Sequence, residues 1–213
     1  MAKLLFQATH SDGSDAMSDL LAFAKAIGLE SATSGRYSVL LLLQLFGATK
    51  SGMLNPAKVV RQIRALEGTE IGHGLKAATP FKDPPLQGLW HQHYLEGGVR
   101  SMAINIRKGL RRFGLPWVKQ RVADAKESGE NRYFTVADVP QIVNDAVASN
   151  WARLKRHSAL TGEWIVFAKH EGNNYYLSIA EHKGDHLSLR AQIDAICVKE
   201  FSFLKSILDG EAT

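Results

Sequence analysis

Residues 173–190 read NNYYLSIAEHKGDHLSLR and bring two tyrosines, two histidines, a lysine and an aspartate into one short stretch. Histidine beside lysine and tyrosine is a set that supports metal-free acid–base chemistry on a phosphodiester. One imidazole takes the proton of a ribose 2′-hydroxyl, a cation stabilises the phosphorane, and a second group protonates the leaving oxygen. His182 and His186 are the candidate acid and base, with Lys183 and Tyr176 assisting. Strand alternation puts Tyr176, Ser178, Ala180 and His182 on one face and Tyr175, Leu177 and Ile179 on the other, so Tyr175 is expected to pack and Tyr176 to be available. The four-residue spacing of His182 and His186 also suits two metal ligands on a continuous helix. Gly184 and Asp185 interrupt that helix, Asp185 reading as the cap of the next one. A metal site made from His182, Asp185 and His186 is therefore the weaker reading, and no metal or other cofactor is expected. The structural alternative for the whole stretch is a polar turn followed by a helix start.

A second constellation is electrostatic. From Gly97 to Ala123 the chain has seven basic residues and no acid: Arg100, Arg107, Lys108, Arg111, Arg112, Lys119 and Arg121. Val99, Met102, Ala103, Ile106, Leu110 and Phe113 fall on one side of a helix here. Arg100, Arg107 and Arg111 align on another, widened by Lys108 and Arg112. Aligned arginines donate paired, charge-assisted hydrogen bonds to phosphates while an apolar side anchors the helix. These seven residues are the expected nucleic-acid contacts, the alternative being a solvated helix face. The formal charge of +5 is modest for the whole chain, so its concentration matters more than its total.

Regular elements have to position both groups. Helices are expected from Ser14 to Gly28, over Tyr37–Phe46, and from the cap Asn55 and Pro56 to Gly68. In DPPLQGLWHQHYLEGG a strand would point His91 and His93 to one side, where they could share a metal. The helical reading, with Asp83 as cap and Leu86, Leu89, Trp90, His93 and Tyr94 on one stripe, fits the apolar spacing better. Basic helices follow to Gly129, then a long helix after Thr135 or Asp138 with Val139, Ile142, Val143, Ala146, Val147, Trp151 and Leu154 on one face. EWIVFAKH and NYYLSIAEH flank Glu171-Gly172-Asn173-Asn174 and read as a β-hairpin. Asp185 then starts a last helix, with Leu189, Ile193, Ile196 and Cys197 along one face. A hairpin alone is marginally stable, so Lys3 to Gln7 is the candidate third strand.

These elements predict an α+β protein, predominantly helical, with a small antiparallel sheet built on the C-terminal hairpin and a final helix. One compact domain over residues 1–213 is expected, with any division falling near Gly129 between a helical part, 1–129, and an α+β part, 130–213. The lone Cys197 forms no internal disulfide and no Cys-x-x-Cys pair exists for zinc. The apolar run at residues 39–48 is broken by Gln44 and too short to cross a bilayer. A soluble cytoplasmic protein with no membrane partner is expected. Phosphate-loop, dinucleotide-fingerprint, nucleophile-elbow and zincin motifs are all absent.

The helical front, late sheet, basic surface and His/Lys/Tyr set are similar in architecture to compact, metal-independent ribonucleases of the bacterial toxin type. The resemblance covers only the C-terminal part of the chain and implies RNA as substrate. The sequence therefore points first to a nucleic-acid-directed protein, most specifically a ribonuclease-like phosphodiesterase. A non-enzymatic module binding nucleic acid or an acidic protein partner is the alternative. A metal-dependent hydrolase using the same histidines is the third reading.

Overall fold

The structure is a computed structural model describing residues 6–9, 12–71, 75–95, 98–131, 135–157, 159–160, 162–181 and 184–210. In chain order it forms α1 (Met17–Ala26), α2 (Leu29–Thr33), α3 (Val39–Lys50), α4 (Pro56–Leu66), β1 (Thr79–Pro80) and β2 (Trp90–Tyr94). Then come α5 (Val99–Phe113), α6 (Pro116–Ser128), a 3-10 turn (Val136–Asp138), α7 (Val139–Asn144), a π-helical turn (Asp145–Ser149) and α8 (Asn150–Arg156). The chain ends with β3 (Glu163–His170), β4 (Asn173–Ala180), α9 (His186–Gln192), a second π turn (Ile193–Cys197), α10 (Val198–Glu200) and α11 (Leu204–Leu208). The protein is thus α+β and predominantly helical, with a small antiparallel sheet in the order β1-β2-β3-β4. Among the described residues no helix is long and apolar enough to cross a membrane.

Two compact units divide the chain. The first takes residues 1–72, 77–96 and 162–213, and the second takes 73–76 and 97–161. The second is an insertion between β2 and β3, and Gly129 lies inside it, at the end of α6.

In the first unit β3 is buried from Trp164 to Ala168 because helices cover both faces of the sheet. Ile165 and Phe167 join Tyr94 and Tyr176 against the leucines of α1 and α3 and the valines of α4. Trp164, Val166 and Ala168 join Leu177 against Leu189, Ile193, Cys197 and Leu204. Glu171 and Gly172 make a two-residue turn, both at positive φ (48° and 76°), which matches the twist of the flanking strands. Asn173 and Asn174 already belong to β4.

The helix expected through Trp90–Tyr94 is instead β2, paired with β3. Its two faces meet different cores, Trp90 and Tyr94 on one and the histidines on Trp164 on the other, so no clean apolar alternation marks it as a strand. β2 and β1 therefore complete the sheet. Of the expected Lys3–Gln7 strand, residues 3–5 lie outside the described residues, and Phe6 and Gln7 are not in a strand.

Local caps form where the residue types dictate. The Asn55 side chain accepts from the Ala57 N–H, and the Asp185 side chain from the Ser188 N–H. Ser38 caps α3 by accepting from the Leu41 N–H, and a remote carboxylate, Glu200, accepts from the Val39 N–H at 3.1 and 3.2 Å. Beside it Cys197 is fully buried, and burial pushes its thiol up to about 12.

Burial also raises the Glu200 carboxyl from 4.5 to about 7, opposed only in part by the Val39 hydrogen bond. The folded state then holds its proton over a range in which the unfolded chain has lost it. Stability from this group is complete below about 4.5 and is lost as pH rises through about 7. Urea unfolding is expected to show wild-type protein losing stability relative to Glu200→Gln between about pH 5 and about pH 8. Parallel pH profiles for the two proteins would contradict this assignment.

The second unit is built the other way round, with polar groups inside. Asp145, 2% exposed, accepts from the Trp117 N–H at 2.8 Å and from Arg153 Nη2 at 3.0 Å. It thereby caps α6, whose first residue, Pro116, has no N–H to satisfy. Asn150 donates to the Gly114 carbonyl at 3.0 Å and accepts from Arg153 at 2.8 Å. The long helix expected after Thr135 is interrupted by the π turn, whose extra residue rotates the helix face. Asp145, Asn150 and Leu154 turn inward, while Val139 and Val143 remain exposed.

α5 packs on α8, with Gly109 beside Asn150 and Leu154, and the buried row of α5 is small and polar: Ser101, Asn105 and Gly109. A Cβ on Gly109 would lie 2.8 Å from Asn150 Cβ, and Asn150 is held by its two hydrogen bonds. Alanine gains about 1 kcal/mol of helix propensity over glycine, whereas overpacking costs about 1–3 kcal/mol. Gly109→Ala is therefore expected to destabilise the protein by about 1 kcal/mol in urea unfolding. A stabilised variant would show that α5 and α8 are less closely packed.

Candidate functional site

α5 begins after Gly98 and ends at Gly114, whose N–H donates to the Leu110 carbonyl at 2.9 Å. With Ser101, Asn105 and Gly109 turned inward, helical geometry sends the apolar stripe outward. Val99 is 87% exposed, Met102 48% and Leu110 37%. Most of the apolar stripe is therefore exposed, while Ile106 and Phe113 are half-buried and the Phe113 ring stacks on His157 at 5.8 Å. Ala103, Ile106 and Leu110 form a shallow groove of about 470 Å³ with Arg107 and Arg111. Cations thus border the apolar floor on the same outer face.

The seven expected cations are not equivalent. Arg107 and Arg111, one helical turn apart, are exposed, as is Lys119. Arg112 is also exposed and lies 5.3 Å from the centre of the Phe113 ring. Lys108 is turned to the Ala159 carbonyl, to which it donates at 2.6 Å; burial, then Lys76 and Arg112, lower its pKa. Arg121 is paired with Glu130 at 3.0 Å. The backbone of Arg100 is in α5, but its side chain lies outside the described residues.

Elsewhere Arg36, Arg61, Arg153 and Arg190 are paired with Glu67, Glu70, Asp145 and Asp194. Among the described residues no carboxylate pairs with Arg107, Arg111, Arg112 or Lys119. The second unit carries thirteen Lys and Arg against five Asp and Glu, and the first holds the other thirteen against sixteen. The chain's net positive charge therefore resides in the second unit.

The histidine and tyrosine set belongs to the first unit, and His182 and Lys183 lie outside the described residues. Tyr176, expected to be available, is fully buried and donates to Glu67 Oε1 at 2.6 Å. The same oxygen accepts from Asn174, and Arg36 pairs with the other. Burial, followed by the bond to Glu67, raises the Tyr176 phenol far above its ordinary value near 10.

The expected common face of Tyr176 and Ala180 does not form, because the β3–β4 register shifts between Val166 and Phe167. Ser178 pairs with Val166 and Tyr176 with Phe167, so Leu177 is an extra residue that breaks the alternation. Tyr176 packs toward the α1–α4 helices and Ala180 toward the C-terminal helices.

His186 is the first residue of α9 and half-buried, with its ring 5.5 Å from Trp164 and its Nε2 3.2 Å from the Glu181 carbonyl. Trp164 also meets His91 at 4.6 Å and His93 at 6.1 Å, and the two histidine rings are 5.6 Å apart. His91 Nε2 is 3.1 Å from the Thr79 hydroxyl, and His93 Nδ1 lies 3.1 Å from the Gly162 carbonyl. This gathering of His91, His93 and His186 on one indole was hidden in the sequence by reading β2 as a helix. The two-residue histidine spacing was the signal that could have revealed it. Among the described residues no three His, Cys, Asp or Glu side chains are placed to hold one metal ion. Tyr176 faces the opposite core from this cluster.

Comparison with known proteins returns no matching family model, no matching curated protein and no matching solved structure. The structural role of Tyr176 is directly testable. Tyr176→Phe removes a hydrogen bond to a partly buried carboxylate and is expected to cost about 2 kcal/mol in urea unfolding. An unchanged midpoint would mean that Glu67 does not depend on the phenol.

Proposed function

We propose that this protein is a binding module that engages an anionic partner through its basic second unit. The observation that carries the reading is the pair Arg107 and Arg111, exposed one turn apart with no carboxylate partner among the described residues. Guanidinium groups at this spacing suit phosphate or carboxylate groups, each accepting two parallel hydrogen bonds. RNA and an acidic protein are both anions of this kind. Binding has more support than phosphodiester cleavage, because Tyr176 is buried and faces the opposite core from His186.

The test measures retention of labelled single-stranded RNA and of polyglutamate by wild-type protein and by Arg107→Ala with Arg111→Ala, in EDTA across a salt series. At least one polyanion is expected to bind at low salt, with affinity falling as salt rises and falling less steeply in the double variant. For RNA, two lost phosphate contacts reduce the log–log slope by about 1.4. Failure to bind either polyanion at low salt overturns the reading. RNA cleavage that disappears in His186→Ala would replace it with the ribonuclease reading.

A further inference from the structure

We propose that the groove on α5 docks an acidic amphipathic helix, whose apolar side chains rest on Ala103, Ile106 and Leu110 while its carboxylates meet Arg107 and Arg111. The inference rests on the anion-binding reading above and names the partner class for that same face.

Apolar exposure distinguishes this occupant from a simple polyanion. Eight of the thirteen exposed large apolar side chains among the described residues belong to the second unit, although it is the smaller of the two. A phosphate backbone compensates arginines but recovers nothing from Ile106 and Leu110, whereas an apolar surface rimmed by charge fits a partner with both characters. A bilayer fits less well. An interfacial helix keeps its cations opposite its apolar stripe, while Arg107 and Arg111 border the groove itself and the opposite row of α5 is buried. A second copy of the same face would bring like charges together across an isologous contact. A helix presenting apolar side chains one turn apart, flanked by glutamates, matches both the shape and the sign of this face.

The probe is a synthetic helical peptide of about four turns, with leucines along one face and glutamates on both sides of it. A scrambled peptide of identical composition, a uridine oligonucleotide and vesicles of phosphatidylserine with phosphatidylcholine are measured beside it. The amphipathic peptide is expected to bind at least about tenfold tighter than its scramble. Ile106→Ser with Leu110→Ser is expected to weaken that peptide by about tenfold or more while leaving oligonucleotide binding unchanged. Ala103→Trp, which fills the groove, provides a second variant at an exposed position, with circular dichroism checking the fold of each. Arg107→Glu with Arg111→Glu is expected to lose the acidic peptide and gain one in which lysines replace the glutamates.

Equal binding of peptide and scramble overturns the inference. So does a peptide affinity indifferent to both groove variants, or preferential binding of the oligonucleotide or the vesicles. Those outcomes leave the anion-binding reading standing, whereas absence of binding to every acidic probe at low salt removes both.

Discussion

A buried carboxylate organises the second unit. Asp145 is taken almost completely out of water, which costs several kcal/mol for an unpaired ion. Its two oxygens are satisfied by the Trp117 N–H and by Arg153, and Arg153 in turn fixes Asn150. Asn150 then ties down the end of α5 at Gly114. Because these partners come from the α5–α6 junction, α6 and α8, one acid sets the register of much of the unit. The consequence appears on α5. Its small and polar row is buried, with Gly109 against Asn150, and much of its apolar stripe is left exposed beside two arginines.

The first unit follows the more familiar rule. Its sheet is covered on both faces, and β3 carries consecutive apolar residues because neither side of it meets water. Two separate cores result, and side chains close in sequence are sent to opposite ones. Tyr176 becomes part of the Glu67–Arg36–Asn174 network, while His186 joins His91, His93 and Trp164 on the other face. A single shifted register between β3 and β4 is enough to undo a face assignment based on strict alternation. Chemistry that needs Tyr176 and these histidines together therefore has no geometric support.

The candidate binding face was partly legible in the amino-acid pattern. The acid-free run from Gly97 to Ala123 and the two stripes of α5 are properties of composition and helical period. What the pattern concealed was the commitment of individual cations. Lys108 and Arg121 have the same charge as Arg107 and Arg111, but Ala159 and Glu130 engage them. Nor did hydrophobicity indicate the packed side of α5. Gly109 permits a close approach to Asn150 that a bulkier residue would prevent, and the less apolar row of Ser101, Asn105 and Gly109 is the buried one.

By itself the sequence determined the features whose physics is local. Asn55 and Asp185 cap helices because their side chains reach nearby N–H groups, Gly172 helps turn the hairpin because it adopts positive φ, and α5 is amphipathic because its residues repeat with the helical period. Tertiary structure decided which helix face is buried, how β2 joins the sheet and on which side Tyr176 lies. Those choices depend on groups remote in the chain: Asn150 against Gly109, β3 beside β2, and Glu67 beneath Tyr176. No local pattern encodes the arrival of such a partner, and its presence determines whether the same residue packs, pairs or remains open to bind.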